Sequence, residues 1–446
     1  FTLAKLQLAR VYKFEASYKM ARNVMQSIKN QLRSLSPIDS LRAQALLYWL
    51  DGNARQEIDL LRRIYEVSPL DVENAFEVAE AYYYISEVRE AMRFYNLALS
   101  QDTTFARAYN HLGYCYSCLG EHDKALFHFR KYLSLDSTAN AYDSLGDGFL
   151  AAGKLDSAAY AKELGIRQDQ KLSYLYYQLF FIRIMQGQLH EAGRAAETYD
   201  HLAVTLDEKV RGLYLKAVQA YFMKEYNTVI HLARTAFAVY DAQDVATRNH
   251  DLHWLYAVSC LALHRENEAN QEVRVMEKII EENQISAHNY RRGIYKYSLH
   301  LQAMLAARQG DVNGLLEIMK QMDAIPEKVK DVQTIFDYPF FCQTFSDLLL
   351  QVKRPDLALE RLKQALALNP WNGFVHFRLW QEFRRRGNSE MAEKHRQLAQ
   401  QVWAGADEEW KKIYLNEQRN QSGLLLMRRP EDRMTFAATC ASSNSK

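Results

Sequence analysis

The feature that most constrains this chain is that it repeats itself. From Ala106 the series Tyr109, Leu112, Gly113, Tyr116, Gly120, Ala125, Phe129 is laid down. About 34 residues upstream the same places hold Ala75, Val78, Ala79, Tyr82, Ser86, Ala91 and Tyr95, and about 33 downstream they hold Tyr142, Leu145, Gly146, Phe149, Gly153, Ala158 and Lys162. A unit of this length is one supersecondary element that cannot bury its own apolar face, so units must stack on their neighbours. That also settles how 446 residues can fold, since a single core stops growing at about 250–300. Starts fall near residues 2, 38, 72, 106, 139, 173, 211, 250, 296, 339 and 373.

The unit reads as two helices. The chain has only 7 Pro and 17 Gly, too few for a hairpin-rich fold, and its long runs of Ala, Leu, Glu, Lys and Arg favour helix. A small residue recurs in the first helix at Ala9, Ala45, Ala79, Gly113, Gly146, Ala257, Ala303 and Ser346. Another recurs in the second at Ala21, Ala91, Ala125, Ala158, Ala192, Ala269, Ala358 and Ala392. Two antiparallel helices in close contact require small residues where they touch. Gly52, Gly120, Gly153, Gly187, Gly310 and Gly387 stand between the helices, where a left-handed residue ends the first one. Pro69 and Pro370 close units because proline cannot continue a helix. Tyr82, Tyr95, Tyr116 and Phe129 are expected to fill the space between units. Toward the middle the spacing stretches, Phe180 and Val218 replace small residues, and longer helices or loops are expected. Asp323 to Pro339 reads as a bend.

This pattern resembles the tetratricopeptide repeat. The resemblance implies an all-α fold, a right-handed α-solenoid superhelix of about eleven helix pairs. The expected organisation is an N-terminal array at 1–205, divergent repeats at 206–338, a C-terminal pair at 339–404, and a capping helix (Asp407 to Tyr414) with a disordered tail at 405–446. In this family the first helices line a concave face that holds ligands. The residues placed on it here are Phe76, Glu80, Tyr83, Tyr84, Asn110, Tyr114, Asp143, Asp147, Tyr177 and Phe181. They imply a protein or peptide partner with apolar anchors and some basic residues. The carboxylate clamp of chaperone-tail binders is not matched, because its places hold Phe76, Glu80, Asn110 and Asp143. The series Tyr142-Asp143-Ser144-Leu145-Gly146-Asp147 is similar to bacterial arrays, which often follow a kinase, cyclase or DNA-binding domain in signalling proteins. The chain opens in helical pattern on Phe1-Thr2-Leu3-Ala4, which reads as the inside of a longer protein.

Other signals are absorbed by the repeat. Cys115-x-x-Cys118 lies in a first helix with no second pair, so it reads as two small helical residues rather than a zinc or redox motif. Gly146 to Lys154 echoes a phosphate loop, but no strand precedes it. The 13 histidines show no metal spacing. No catalytic constellation, metal site or cofactor is expected. The net charge of +2 excludes a strong pull toward nucleic acid, and no apolar run is long enough for a membrane span. Five irregularly spaced cysteines point to a reducing, cytoplasmic setting. The reading is a non-catalytic binding scaffold. The alternatives are a self-assembling structural array and an enzyme with its site on the solenoid.

Overall fold

The computed structural model describes residues 1–14, 18–241, 250–282, 288–324 and 344–415. These residues are helices joined by short turns, with no strand among them. The first three pairs are α1 (Thr2–Phe14) with α2 (Tyr18–Ile28), α3 (Pro37–Leu50) with α4 (Ala54–Val67), and α5 (Val72–Tyr84) with α6 (Val88–Gln101). Then come α7 (Ala106–Cys118) and α8 (His122–Leu135), α9 (Ala139–Ala151) and α10 (Leu155–Gln168), and α11 (Ser173–Met185) and α12 (Leu189–Leu202). The longer ones follow: α13 (Leu206–Phe222) and α14 (Tyr226–Asp241), α15 (His250–Ala262) and α16 (Glu266–Glu282), α17 (His288–Gln309) and α18 (Val312–Asp323). The last are α19 (344–351) and α20 (Pro355–Leu368), α21 (Gly373–Arg385) and α22 (Ser389–Val402), and a single short helix α23 (Glu408–Tyr414). The eleven pairs expected from the spacing are therefore present among the described residues, as an all-α solenoid.

The turns within pairs share one structure. Gly52, Ser86, Gly120, Gly153, Gly187, Lys224, His264, Gly310, Lys353 and Gly387 all take positive φ, between 60° and 78°. At each, the next residue's N–H donates to the carbonyl five back, over 2.7–3.0 Å. This bond closes a helix end around a left-handed residue and satisfies a carbonyl the helix leaves open. The intervals between these residues are 34, 34, 33 and 34 from Gly52 to Gly187, then 37, 40, 46 and 43, then 34. The stretch falls where the sequence drifts, and it goes into helix: α13 and α16 have 17 residues and α17 has 22, against 13 or 14 in the regular pairs.

All sixteen small residues singled out at helix contacts are buried. Phe180 and Val218, larger than their places suggest, are buried too. Phe129 shows the fit most sharply. A Cβ on Gly113 or on Gly148 would stand 2.6 Å from its ring. One ring thus fills the space left by two glycines on successive first helices, and the Gly146-Asp147-Gly148 run is explained by packing.

Contacts divide the chain into one unit containing Phe1–Gly148 and another containing Phe149–Gln284 with the described residues after Tyr290. The first unit's core runs through Leu6, Met25, Leu46, Ile64, Phe94 and Leu112. The second has an unexpected feature. The helix after α22 was expected as a polar end cap, but α23 carries a fully buried Trp410. Trp410 packs against Phe222 and Phe374, and a Cβ on Gly187 would lie 2.7 Å from it. Trp371 likewise lies over Gly153. The end of this array folds onto helices some two hundred residues earlier, because its aromatic side chains find apolar cover there. The bend expected at Asp323 to Pro339 lies mostly outside the described residues, and so does the expected tail.

Candidate functional site

In the first unit the expected face lies along α5, α7 and α9. Asp71 caps α5 by accepting from the Glu73 N–H, which fixes where that helix begins. Phe76, Glu80, Tyr83 and Tyr84 then fall on one side of it by helical spacing. The structure brings Glu80, Tyr83 and Phe76 together around His111 of α7. The His111 ring is 5.2 Å from Phe76, 5.3 Å from Tyr95 and 6.0 Å from Tyr83. Its Nδ1 stands 2.9 Å from Glu80 Oε1, within ion-pair reach though not aligned as a hydrogen bond. The Tyr95 hydroxyl also donates to Glu80. Burial by itself raises the Glu80 carboxyl, but His111 and Tyr95 outweigh it and hold the group below its ordinary range. Glu80 is therefore a compensated carboxylate inside an aromatic cage rather than bare negative charge on the face. His111 was not among the residues expected here. Its signal was available: it stands one place after Asn110 on the same helix, beside the small contact residue Gly113.

Further along, Tyr114 of α7 donates to Asp147 of α9 at 2.8 Å and lies 3.3 Å from Ser144. Burial pushes the Tyr114 hydroxyl well up, with Asp147 and Asp143 adding to the effect, so it stays a donor. Asp143 and Asp147 are themselves buried, at 6% and 8% exposure. Tyr83 and Asn110 are half-buried, and Tyr84 is the exposed ring, at 43%. Phe76 differs from expectation. It is buried at 6% and packs on Phe105, with the Arg107 guanidinium 4.7 Å above it. A large ring on that side of the helix reaches the next pair before it reaches solvent.

In the second unit Tyr177 is half-buried, with Arg211 over its ring at 5.3 Å and Tyr199 at 6.1 Å. Phe181 was expected on the face but is fully buried between Phe180 and Tyr214, so it is core. The first unit's face continues toward its N-terminus as ion pairs between first helices. Arg10 and Arg42 both reach Glu77, and Arg107 reaches Glu73.

Cys115 and Cys118 form no disulfide among the described residues, and burial pushes the Cys115 thiol well above its ordinary range, the opposite of a reactive thiolate. Among the described residues no group of three or more His, Cys, Asp or Glu could hold a metal ion. None of the described helices is long and apolar enough to cross a membrane.

The family model for the tetratricopeptide repeat matches residues 106–138, the α7–α8 pair. The BBSome complex member BBS4 of Bos taurus is 25% identical over 201 residues, 45% of this chain and 37% of that protein. The Mus musculus protein of that name is 28% identical over 133 residues, 29% of this chain and 26% of its own length. The chain thus matches well under half the length of these relatives. Among solved structures, a thermophilic tetratricopeptide-repeat protein of Thermus thermophilus is 19% identical, with 41% of this chain and all of that one covered and a TM-score of 0.37. PilF of Pseudomonas aeruginosa is 18% identical, with 46% and 92% covered and a TM-score of 0.37. The matched repeat has the same paired helices and left-handed turn as the units flanking it at 33- and 34-residue intervals. Residues 106–138 thus match a tetratricopeptide repeat, and the flanking units share its architecture.

Proposed function

We propose that this chain is a non-catalytic scaffold that binds an extended protein segment along the first helices of its first unit. The observation that carries this reading is the α5–α7–α9 face. Tyr83, Tyr84 and Tyr114 present rings there that are neither fully buried nor loose. Tyr114 is held by Asp147, and Tyr83 packs on His111. Preset aromatic side chains give contact area at small entropic cost, which suits them as anchors for apolar side chains of a partner. Asp143 and Asp147 lie beneath them and favour a basic residue between those anchors. Cofactor and metal play no part in this reading.

The partial likeness to a complex member supports a partner that is another protein of an assembly. A place as the interaction part of a larger bacterial signalling protein fits the resemblance of the Tyr142–Asp147 series. Panning a random peptide display library against the chain tests the proposal. Enriched peptides should carry apolar anchors with Lys or Arg, and should lose at least tenfold in affinity for Tyr83→Ala/Tyr84→Ala while its helical circular dichroism is unchanged. Equal affinity for that variant would remove the face from the account. Concentration-dependent light scattering that tracks self-association, with no peptide enriched, would favour the self-assembling array.

A further inference from the structure

The second unit contains a contact that the repeat pattern does not require. Helix ends leave backbone groups without partners, and three of these ends meet in one place. Met185 is the last residue of α11, His190 lies in the first turn of α12, and Phe222 is the last residue of α13. The segment from Trp403 to Tyr414 satisfies all three. Trp403 Nε1 donates to the Met185 carbonyl at 3.0 Å. The His190 N–H donates to Asp407 Oδ2 at 2.9 Å. The Tyr414 hydroxyl donates to the Phe222 carbonyl at 3.0 Å. The Asp407 N–H also donates to the Gly187 carbonyl at 3.0 Å, and Gln188 Nε2 lies 3.4 Å from the Gly405 carbonyl. Between these bonds Trp410 fills the hollow over Gly187, fully buried. A carboxylate at the start of α12 also meets the positive end of its dipole.

The bound element is small. Helix α23 has seven residues, far short of the roughly 12–15 an isolated helix needs, so docking is what keeps it helical. The turn residues before it, Ala404 and Gly405, join it to α22. A short element of this kind can open as a separate cooperative unit while the rest of a fold stays closed.

We propose that the ends of α11, α12 and α13 form a binding site for a short aromatic helix preceded by an aspartate, that the chain's own Trp403–Tyr414 segment is its resident ligand, and that this segment comes off as one piece. The site reads ligand chemistry at three points: carboxylate on the α12 N-terminus, indole in the glycine hollow, and phenol on the α13 carbonyl. Release would uncover the site for another helix of the same chemistry.

Hydrogen exchange on the full chain tests this. Trp410→Ala should speed exchange at least tenfold in 183–190 and in 408–414 together, and leave 226–236 and the first unit unchanged. Trp410→Phe should speed exchange less than Trp410→Ala in the same two segments, because it keeps a ring in the hollow and the Trp410 indole N–H has no hydrogen-bond partner. A synthetic peptide of residues 401–415, added up to about 1 mM, the range of effective concentrations for a tethered segment, should restore protection of 183–190 in Trp410→Ala. Faster exchange over the whole second unit would show that Trp410 is only core packing and overturn the proposal. So would a change in 408–414 alone, or no restoration by the peptide. Should Trp410→Ala fail to fold, Tyr414→Phe reads 220–224 and 408–414, which must change together for the proposal to stand.

Discussion

The two units are made of the same helix pair and hold it together differently. In the first, the described left-handed turns fall on Gly52, Ser86 and Gly120, helices α3 to α8 have 13 or 14 residues, and cohesion comes from regular small-against-large contacts such as Gly113 and Gly148 on Phe129. In the second, Lys224, His264 and Lys353 occupy left-handed turns that cost an L side chain roughly 1 kcal/mol each. Helices lengthen, and a cluster of Phe222, Phe374, Trp403, Trp410 and Tyr414 supplies contacts no single repeat contains. Local regularity can be relaxed where long-range aromatic packing compensates for it.

Matched glycines break this comparison most forcefully. Gly120 and Gly153 have nearly the same φ, +74° and +72°, so a methyl group strains both backbones alike. Around Gly120 the new Cβ meets nothing within 4 Å, whereas at Gly153 it would lie 1.9 Å from Trp371. Gly120→Ala should therefore cost about 1–2 kcal/mol, and Gly153→Ala about 1–3 kcal/mol more through overpacking. Urea denaturation of the two variants measures the gap. Equal losses would mean that Trp371 does not hold that position.

Acid should weaken the second unit more steeply than the first as pH falls below about 6.5. His300 is fully buried, which lowers its pKa to about 3. His395 is lowered to about 4 by burial and by His376, whose Nδ1 is 2.9 Å from its own. His376 is lowered as well, mainly by burial. The unfolded chain takes up these protons below about pH 6.5 and the folded chain does not, so stability falls as pH drops from there toward 4. The loss is up to about 1.4 kcal/mol per pH unit for each such group. In the first unit, among the described residues, His128 is the one histidine that burial lowers, against three in the second, and the contribution of Glu80 is lost only as pH falls through a value below 4.5. Of the 6 tryptophans all but Trp49 lie in the second unit. Tryptophan fluorescence during acid titration should therefore change before exchange protection of α5–α8 does. The reverse order would contradict the assignment.

Smaller effects sharpen the contrast. Lys353→Gly and Lys224→Gly should each stabilise by up to about 1 kcal/mol by relieving a left-handed side chain, whereas Gly→Ala at any regular turn should do the opposite. Tyr114→Phe should cost about 1 kcal/mol, one hydrogen bond to Asp147. It should weaken a selected peptide only if Tyr114 orientation matters to binding. Thermal melts and peptide titration separate the two.

The repeat itself was legible in the sequence because its contacts are local: a small residue and a turn glycine recur at fixed spacing, and these landed where expected, whereas Tyr82 and Tyr116 stack on Phe94 and His128 of their own pairs. The turns at Lys224, His264 and Lys353 were not legible, since no residue type announces them. They emerge only from backbone geometry. Nor could spacing show that Phe76 and Phe181 point inward, because that depends on how far each ring reaches toward the neighbouring pair. The Trp403–Tyr414 contact was hidden for a stronger reason. Its partners are over two hundred residues distant for Met185 and His190, and a period of about 34 residues carries no information at that range.

The most direct test is to map a selected peptide on the full chain by hydrogen exchange. Binding through the first-helix face predicts new protection in 76–84, 107–117 and 140–147, with α6 and α8 unchanged. Protection confined to α6 and α8, or to no repeat at all, would contradict it.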